Sequence, residues 1–412
     1  MSKKIGVIGG GAAGLMAAYA AAQKGANVYL FERNNRPARK VMITGKGRCN
    51  VTNNCDRDTF LDNIAHGSRF MFSAFSAFSC EDTMSFFENS GVPLKTERGN
   101  RVFPQSDKAV DIVDALVNSV KEKKVKIINE RVLDIITESG CVKGVVTENG
   151  NEYFFDSVVL ATGGKSYPVT GSTGDGYTMA ETLGHKVTKL RPSLVPLVCL
   201  QGFCSSLCGL SLKNVSLSIF EEGKKKPVFS ELGEMMFTDF GITGPLVLSA
   251  SAHIEKIEDK KYSAVIDLKP ALTKEMLDKR ILRDFAEESN KDFINSLDKL
   301  LPQRLISVIV KISQIDPKKK VNSVTREERE RLINTLKGLK LDIIGFRPIE
   351  EAVVTSGGIA LKEISPNTME SKLINGLYFA GEVMDIDGYT GGFNLQIAFS
   401  TGYLAGESAA LS

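Results

Sequence analysis

Lys4-Ile5-Gly6-Val7-Ile8-Gly9-Gly10-Gly11-Ala12-Ala13-Gly14 stands near the start of the sequence, and Asn27-Val28-Tyr29-Leu30-Phe31-Glu32 follows after one short helix's length. The apolar run Lys4 to Ile8 reads as a buried strand. The Ala-rich stretch from Ala12 to Lys24 reads as a helix closed by Gly25, and Asn27 to Phe31 as a second strand. Between the first strand and the helix, Gly9, Gly11 and Gly14 fit G-x-G-x-x-G. The three glycines act differently. Gly9 allows the tight turn, Gly11 lets a pyrophosphate approach the backbone, and Gly14 lets helix lie close on strand. The helix N-terminus, with Ala12 and Ala13 in its first turn, offers free N–H groups and a positive dipole end to phosphates. Glu32, eighteen residues after Gly14, is placed to accept hydrogen bonds from ribose hydroxyls, and its charge repels a 2′-phosphate. Strand, turn, helix, strand and acid in register point to a Rossmann-type dinucleotide site, with Arg33 beside it.

Three later segments extend that site. Arg39 to Asn53 is a polar, glycine-interrupted loop in which Arg39, Lys40, Thr44, Arg48, Cys49 and Asn50 are candidate ligand contacts. Asp156 to Gly164 is a buried strand ending in Ala161, Thr162 and Gly163, and Val132 is a further candidate contact. Leu377 to Phe379 is a late strand ending in Gly381-Glu382, followed by Gly391-Gly392 and a helix from Phe393 to about Leu404, read as amphipathic. Gly381, Glu382, Gly392, Asn394 and Leu395 complete the candidate set. A strand and helix recruited from so far along the chain suit FAD, whose isoalloxazine reaches well beyond one βαβ unit. Glu382 would then meet the ribitol and the helix N-terminus the N1–C2=O edge of the ring.

These motifs resemble a known family. GKGRCNVTN (45–53), GEMMFTDFGITGP (233–245), VTSGGI (354–359), TMESK (368–372), GLYFAGEVMDIDG (376–388) and TGGFNLQIAFSTGYLAG (390–406) are similar to the BaiN/YhiN-like flavoproteins, also called aminoacetone-oxidase-family FAD enzymes. The resemblance runs essentially end to end. It implies non-covalent FAD, and the chain carries no obvious His or Cys flavin-linkage motif. It also implies a two-dinucleotide-binding-domain α/β architecture with an inserted β-barrel and helical subdomain. The expected boundaries are 1–190 and 355–412 for the FAD domain, 191–271 and 341–354 for the barrel, and 272–340 for the helices. In 272–340, Leu277, Ile281, Leu282 and Phe285 recur at helical spacing among charged residues.

Three reactions occur in the resembled family: reduction of conjugated C=C bonds in steroid or bile-acid dienones, reduction of uridine in ribosomal RNA, and amine oxidation. The first two share hydride transfer from flavin N5 with proton delivery to the other carbon, so C=C reduction is the favoured expectation. Amine oxidation and a non-catalytic, FAD-stabilised RNA-binding module are the alternatives. Candidate catalytic groups are Cys49, whose thiol an adjacent cation would activate although a buried thiol that only packs on the cofactor is the favoured reading, Arg48, and Asp239. Many relatives carry His where this chain has Asp239. The 233–245 segment, with aromatic walls and polar points, suits a substrate pocket. No second glycine fingerprint follows a strand, so NAD(P)H, as electron donor, would visit transiently.

Composition narrows the partners. With 52 basic and 49 acidic residues the net charge is +3, which gives no footprint of a dedicated DNA binder. The lysine runs at 121–124, 224–226 and 318–320 read as solvated turns and helix ends. Seven cysteines without a repeated framework suggest reduced thiols and a cytoplasmic setting, and Cys199, Cys204 and Cys208 make a poor metal set. His66, His185 and His253 read as structural, with no Ser-His-Asp set and no metal site. No run of 18 apolar residues suggests a membrane span. The sequence leaves the oligomeric state open.

Overall fold

The computed structural model describes residues 2–412, which divide into two units. One joins the chain up to Ser193 with Pro348–Ser412, and the other is Leu194–Arg347. The first unit is built on a five-stranded parallel sheet. Its spatial order is Leu377–Phe379, Ser157–Leu160, Lys4–Ile8, Asn27–Phe31 and Lys126–Ile128. Lys4–Ile8 lies at the centre, paired with Asn27–Phe31 on one side and Ser157–Leu160 on the other. All-parallel strands are buried on both faces and so read as continuous apolar runs; Ile5, Val7, Val158 and Val159 are fully buried.

Two helices fill one face of this sheet. The first, Ala12–Gln23, is buried over most of its circumference by small residues. The second runs Phe393–Leu411, a full turn and more beyond the expected end at Leu404. It is not amphipathic: residues around its whole circumference are buried, which is the pattern of a helix inside a core. A Cβ on Gly402 would stand 2.3 Å from the Ala13 carbonyl oxygen, and one on Gly406 would stand 2.1 Å from that of Ala17. The two helices therefore touch backbone to backbone along this Gly-x-x-x-Gly stripe. A side chain at either position would push them apart.

The second unit contains a closed six-stranded barrel in the order Leu197–Cys199, Gly241–Thr243, Phe229–Phe237, Ser211–Glu221, Tyr262–Asp267 and Leu339–Phe346. Alternation along Tyr262–Asp267 puts Tyr262, Ala264 and Ile266 into its interior. Three helices, Lys274–Glu287, Gln303–Ser313 and Arg326–Lys337, occupy the stretch expected to be helical. Thr325 and Glu328 form a capping box on the last of them. The unit boundary falls at 193/194 and 347/348 rather than at 190 and 355, because Arg191–Ser193 pairs with Val354–Ser356 and ties both segments to the first unit.

No helix among the described residues is long and apolar enough to cross a membrane.

Candidate functional site

A cleft opens at the carboxyl ends of the parallel strands, where ligands bind in open α/β sheets. Its empty volume is about 1320 Å³ including the solvent-open mouth. It lies wholly within the first unit.

The glycine turn forms one wall. Gly9 has φ +102°, and a Cβ there would meet the Ala161 carbonyl oxygen at 2.5 Å. A Cβ on Gly14 would fall 1.8 Å from the Gly9 carbonyl oxygen, so Gly14 serves helix packing and does not line the cleft. Gly11 is different: nothing lies within 4 Å of its Cβ position, and it faces the cleft. The turn is braced from three sides. Gly9 N–H donates to Phe31 C=O, Ala38 N–H donates to Gly10 C=O, and Gly10 N–H donates to Glu32 Oε2 at 2.9 Å. The other Glu32 oxygen accepts from both nitrogens of Asn34. Three of the carboxylate's roughly four acceptor sites are thus used by protein, and Glu32 holds the turn as well as lining the cleft.

Around Glu32, a cluster of charges closes the same end. Arg131 grips Asp175 through two hydrogen bonds of 2.7 and 2.9 Å, and Arg33 reaches the same carboxylate at 3.2 Å. Burial acts to raise the Asp175 pKa, but the two arginines and Thr173 outweigh it and hold the carboxyl below its usual range.

Another part of the wall is built from groups of distant segments. Lys40 Nζ meets Glu382 at 2.8 Å, and the same carboxylate accepts from Ser166 Oγ and from Thr355 N–H. Beside them the C-terminal helix begins at Gly392 with no side-chain cap, and its first turn contributes Asn394 and Leu395 to the wall. The helix Ala12–Gln23 also starts uncapped. Two helix N-termini with unsatisfied N–H groups therefore border one cleft, held there by the Gly402 and Gly406 contact.

Of the sequence candidates, Gly9, Gly11, Ala12, Ala13, Glu32, Arg33, Arg39, Lys40, Thr44, Val132, Ala161, Thr162, Gly163, Glu382, Asn394 and Leu395 line the cleft. Gly14, Arg48, Cys49, Asn50, Gly381 and Gly392 do not. Gly381 has φ +75° and packs on Ala13, while a Cβ on Gly392 would collide with the Thr52 backbone at 2.4 Å. Arg48 turns away because Glu97 and Asp107 bind its guanidinium and Phe103 stacks under it at 4.2 Å. Cys49 is fully buried, and that burial pushes its thiol up to about 12, with the Thr44 hydrogen bond only partly opposing it. An activated thiolate is not available there, so Cys49 is a packing residue. Asp239 lies in the second unit, exposed in the turn between barrel strands Phe229–Phe237 and Gly241–Thr243. The 233–245 segment, read as a pocket motif, supplies those two strands and the start of a short helix.

Several cleft residues escaped the sequence reading: Asn34, Glu130, Arg131, Asp175, Ile386, Ile397 and Ala398. Arg131 and Asp175 carried no local signal, since their pairing spans 44 residues. Two histidine networks were also missed. His66 Nδ1 lies 2.7 Å from Asp387, whose other oxygen accepts from Ser193. His185 lies between Ser371 (3.0 Å) and Glu363 (3.2 Å). That second set has the order of a hydrolytic triad, but its imidazole is fully enclosed and Ser371 Oγ also accepts two backbone N–H groups. It is a structural lock.

The chain matches the model of the HI0933-like protein Rossmann domain over residues 3–408. It belongs to the HI0933-like family. It is 31% identical to the 3-dehydro-bile acid delta(4,6)-reductase of Clostridium scindens over 99% of both chains. It is 30% identical to the ribosomal RNA dihydrouridine synthase of Escherichia coli, over 97% of this chain and 96% of the relative. Among solved structures, 3-ketosteroid delta1-dehydrogenase from Sterolibacterium denitrificans shares the fold across the full length of both chains, with a TM-score of 0.54 and 13% identity. The chain is a Rossmann-type flavoprotein oxidoreductase of this family.

The residues present fit FAD. The Gly11 cradle is open, two uncapped helix N-termini face the cleft, and Arg39 lines it without a carboxylate partner among the described residues. Thr162 Oγ1 on its wall is buried without a hydrogen-bond partner among them. The diphosphate would lie on Gly11 and the first turn of Ala12–Gln23. The ring end would reach Asn394 and Leu395.

Proposed function

We propose that the chain reduces an activated C=C bond, one conjugated to a carbonyl, with bound FAD. One observation carries this reading: the whole chain aligns with two relatives named for such reactions. Δ4,6 reduction of a dehydro-bile acid and dihydrouridine formation both place two hydrogens across an alkene polarised by a carbonyl.

FAD supplies the hydride when reduced. The protein's part is to bind, orient and tune. The Gly9–Gly11 turn and Arg39 would hold the diphosphate end, and the Glu32 brace keeps the turn from opening. The N-terminus of Phe393–Leu411 would favour negative charge developing on a ring bound beside it, which would assist reduction. Lys40 and Glu382 neutralise each other at 2.8 Å, so that end gains hydrogen-bonding groups without net charge. The electron donor in this reading is NAD(P)H, visiting the cleft transiently.

The test is anaerobic. FAD-loaded protein is reduced with NADH or NADPH and mixed in separate arms with a conjugated steroid or bile-acid enone and with unmodified ribosomal RNA. Return of the oxidised flavin spectrum with a dihydro product supports the reading and names the substrate class. Reduced protein that ignores both but is formed by amines and reoxidised rapidly by oxygen would replace it with amine oxidation. FAD-loaded protein that binds rRNA but transfers no electrons would point to a non-catalytic RNA module.

A further inference from the structure

His66 is the histidine that stands apart. Asp387 is 1% exposed and holds His66 Nδ1 at 2.7 Å, while the imidazole itself is 39% exposed. Ser193 Oγ donates to the second Asp387 oxygen at 2.8 Å. The carboxylate is therefore anchored on one side and orients the ring on the other, with Nε2 as its outer nitrogen. His185 has a similar partner set but no exposure.

Neither His66 nor Asp387 lines the cleft itself, but the residues next to them in the chain connect the pair to its wall. Ile386, the residue before Asp387, lines the cleft, and a Cβ on Gly67, next to His66, would touch Ile386 Cγ1 at 3.2 Å. Gly388, the residue after Asp387, donates its N–H to Asn394 Oδ1 at 2.9 Å and accepts from Asn394 Nδ2 at 2.7 Å. Asn394 lines the cleft in the first turn of the C-terminal helix. Asp387 is thus flanked in sequence by two attachments to the cleft, one of them at the residue assigned to the ring end.

Resting on the C=C-reduction reading above, we infer that His66 is the proton donor of that reaction, with Asp387 as its positioning residue. The balance is complete: the hydride adds to the carbon β to the carbonyl, and the proton leaves His66 Nε2 for the α carbon. The imidazolium becomes neutral imidazole and recovers its proton from solvent through the exposed edge. Asp387 stays ionised throughout and stabilises the charged ring.

The charged groups around His66 favour the donor form. The hydrogen bond to Asp387 is the largest influence and raises its pKa; burial opposes this, Asp385 adds to it, and Arg191 subtracts. The imidazolium consequently persists to higher pH than in a free histidine, and activity governed by it falls on the basic side.

Only three histidines are present, so their ring resonances can be followed individually in labelled wild-type protein. His66 is assigned by its loss in His66→Gln. The expected results are a His66 pKa above the ordinary value, its return toward that value in Asp387→Asn, and movement of the His66 resonances when FAD is added. With an enone that the wild type reduces, His66→Gln should lower kcat by ~100-fold or more with KM changed far less, and Asp387→Asn should shift the basic limb of the pH profile downward. His66 resonances that ignore FAD, or a His66→Gln enzyme matching wild-type kcat, would overturn the assignment. If FAD moves the His66 resonances but wild type reduces no activated alkene, the C=C reading fails and the donor role falls with it, while the place of His66 at the ring survives.

Discussion

Around Gly9 and Gly11 the cleft is shaped by backbone, whereas around Lys40 and Glu382 it is shaped by side chains drawn from four segments. At the glycine end, a missing Cβ decides what fits. At the other end, a carboxylate is satisfied by Lys40, Ser166 and Thr355 at once. The first kind of site fails abruptly when an atom is added. The second kind degrades gradually, because removing one partner leaves the others in place. This difference orders the expected effects of mutation.

The largest effects belong to the glycines, and they should separate binding from folding. Gly14→Val puts side-chain atoms against the Gly9 carbonyl, where a Cβ alone would approach to 1.8 Å. Neither strand nor helix can yield that distance, so the variant should fail to give soluble, folded protein, above the ~1–3 kcal/mol of ordinary overpacking. Gly11→Val meets no protein atom within 4 Å of its Cβ position. It should fold with wild-type thermal stability yet lose FAD affinity by ~100-fold or more, about 2.8 kcal/mol. Fluorescence titration with FAD, beside a melting curve, checks both. Equal FAD affinity in Gly11→Val would show that the diphosphate does not lie on this turn.

Lys40 tests the graded end. Its side chain and that of Glu382 are 23% and 20% exposed, between a surface pair and a buried one. A double-mutant cycle with Lys40→Met and Glu382→Gln should give a coupling of about 1–2 kcal/mol in stability. A coupling near zero would mean that Ser166 and Thr355 alone hold the carboxylate, and that the contrast between the two ends is sharper still.

Part of this was legible in the sequence, and the reason is locality. The parallel-sheet core follows from apolar runs bounded by glycines, and the turn from spacings of a few residues. The late strand Leu377–Phe379 was visible for the same reason. What escaped depends on partners far along the chain. Arg48 looked like a ligand contact because its partners, Glu97 and Asp107, lie 49 and 59 residues away. His66 read only as structural because its partner Asp387 lies 321 residues away. The Gly402–Gly406 spacing was on display, but an isolated small-residue pair does not say which helix it will meet.

Gly392→Leu probes the junction between the two kinds of construction. Gly392 has φ +101° and abuts the Thr52 backbone, so the side chain should displace the first turn of Phe393–Leu411 away from the ring. An adjacent helix N-terminus favours an anion by ~0.3–2 kcal/mol depending on burial. With 1.4 kcal/mol corresponding to about 30 mV for two electrons, the flavin potential of a loaded mutant should fall by up to tens of millivolts. An unchanged potential would detach the helix from the redox chemistry.

The smallest effect is expected at Cys49, and it has a pH signature of its own. Cys49→Ser should keep FAD affinity, because the thiol does not line the cleft, and should cost roughly 0.5–1.5 kcal/mol for a hydroxyl in a buried site. The native thiol is pushed up to about 12 by burial, against about 8.5 in an unfolded chain. Above pH 8.5 the unfolded state therefore binds fewer protons than the folded one, and stability falls as pH rises toward 12. At pH 10 that single group removes about 2 kcal/mol, at ~1.4 kcal/mol per pH unit. Serine does not titrate in this range, so the mutant should lose less stability than wild type between pH 8 and pH 10. Denaturant unfolding at the two pH values measures the difference directly. If wild type and mutant decline in parallel, Cys49 ionises in the folded protein as readily as in the unfolded one. Its thiol would then be accessible after all, and a catalytic role beside Arg48 would have to be reopened.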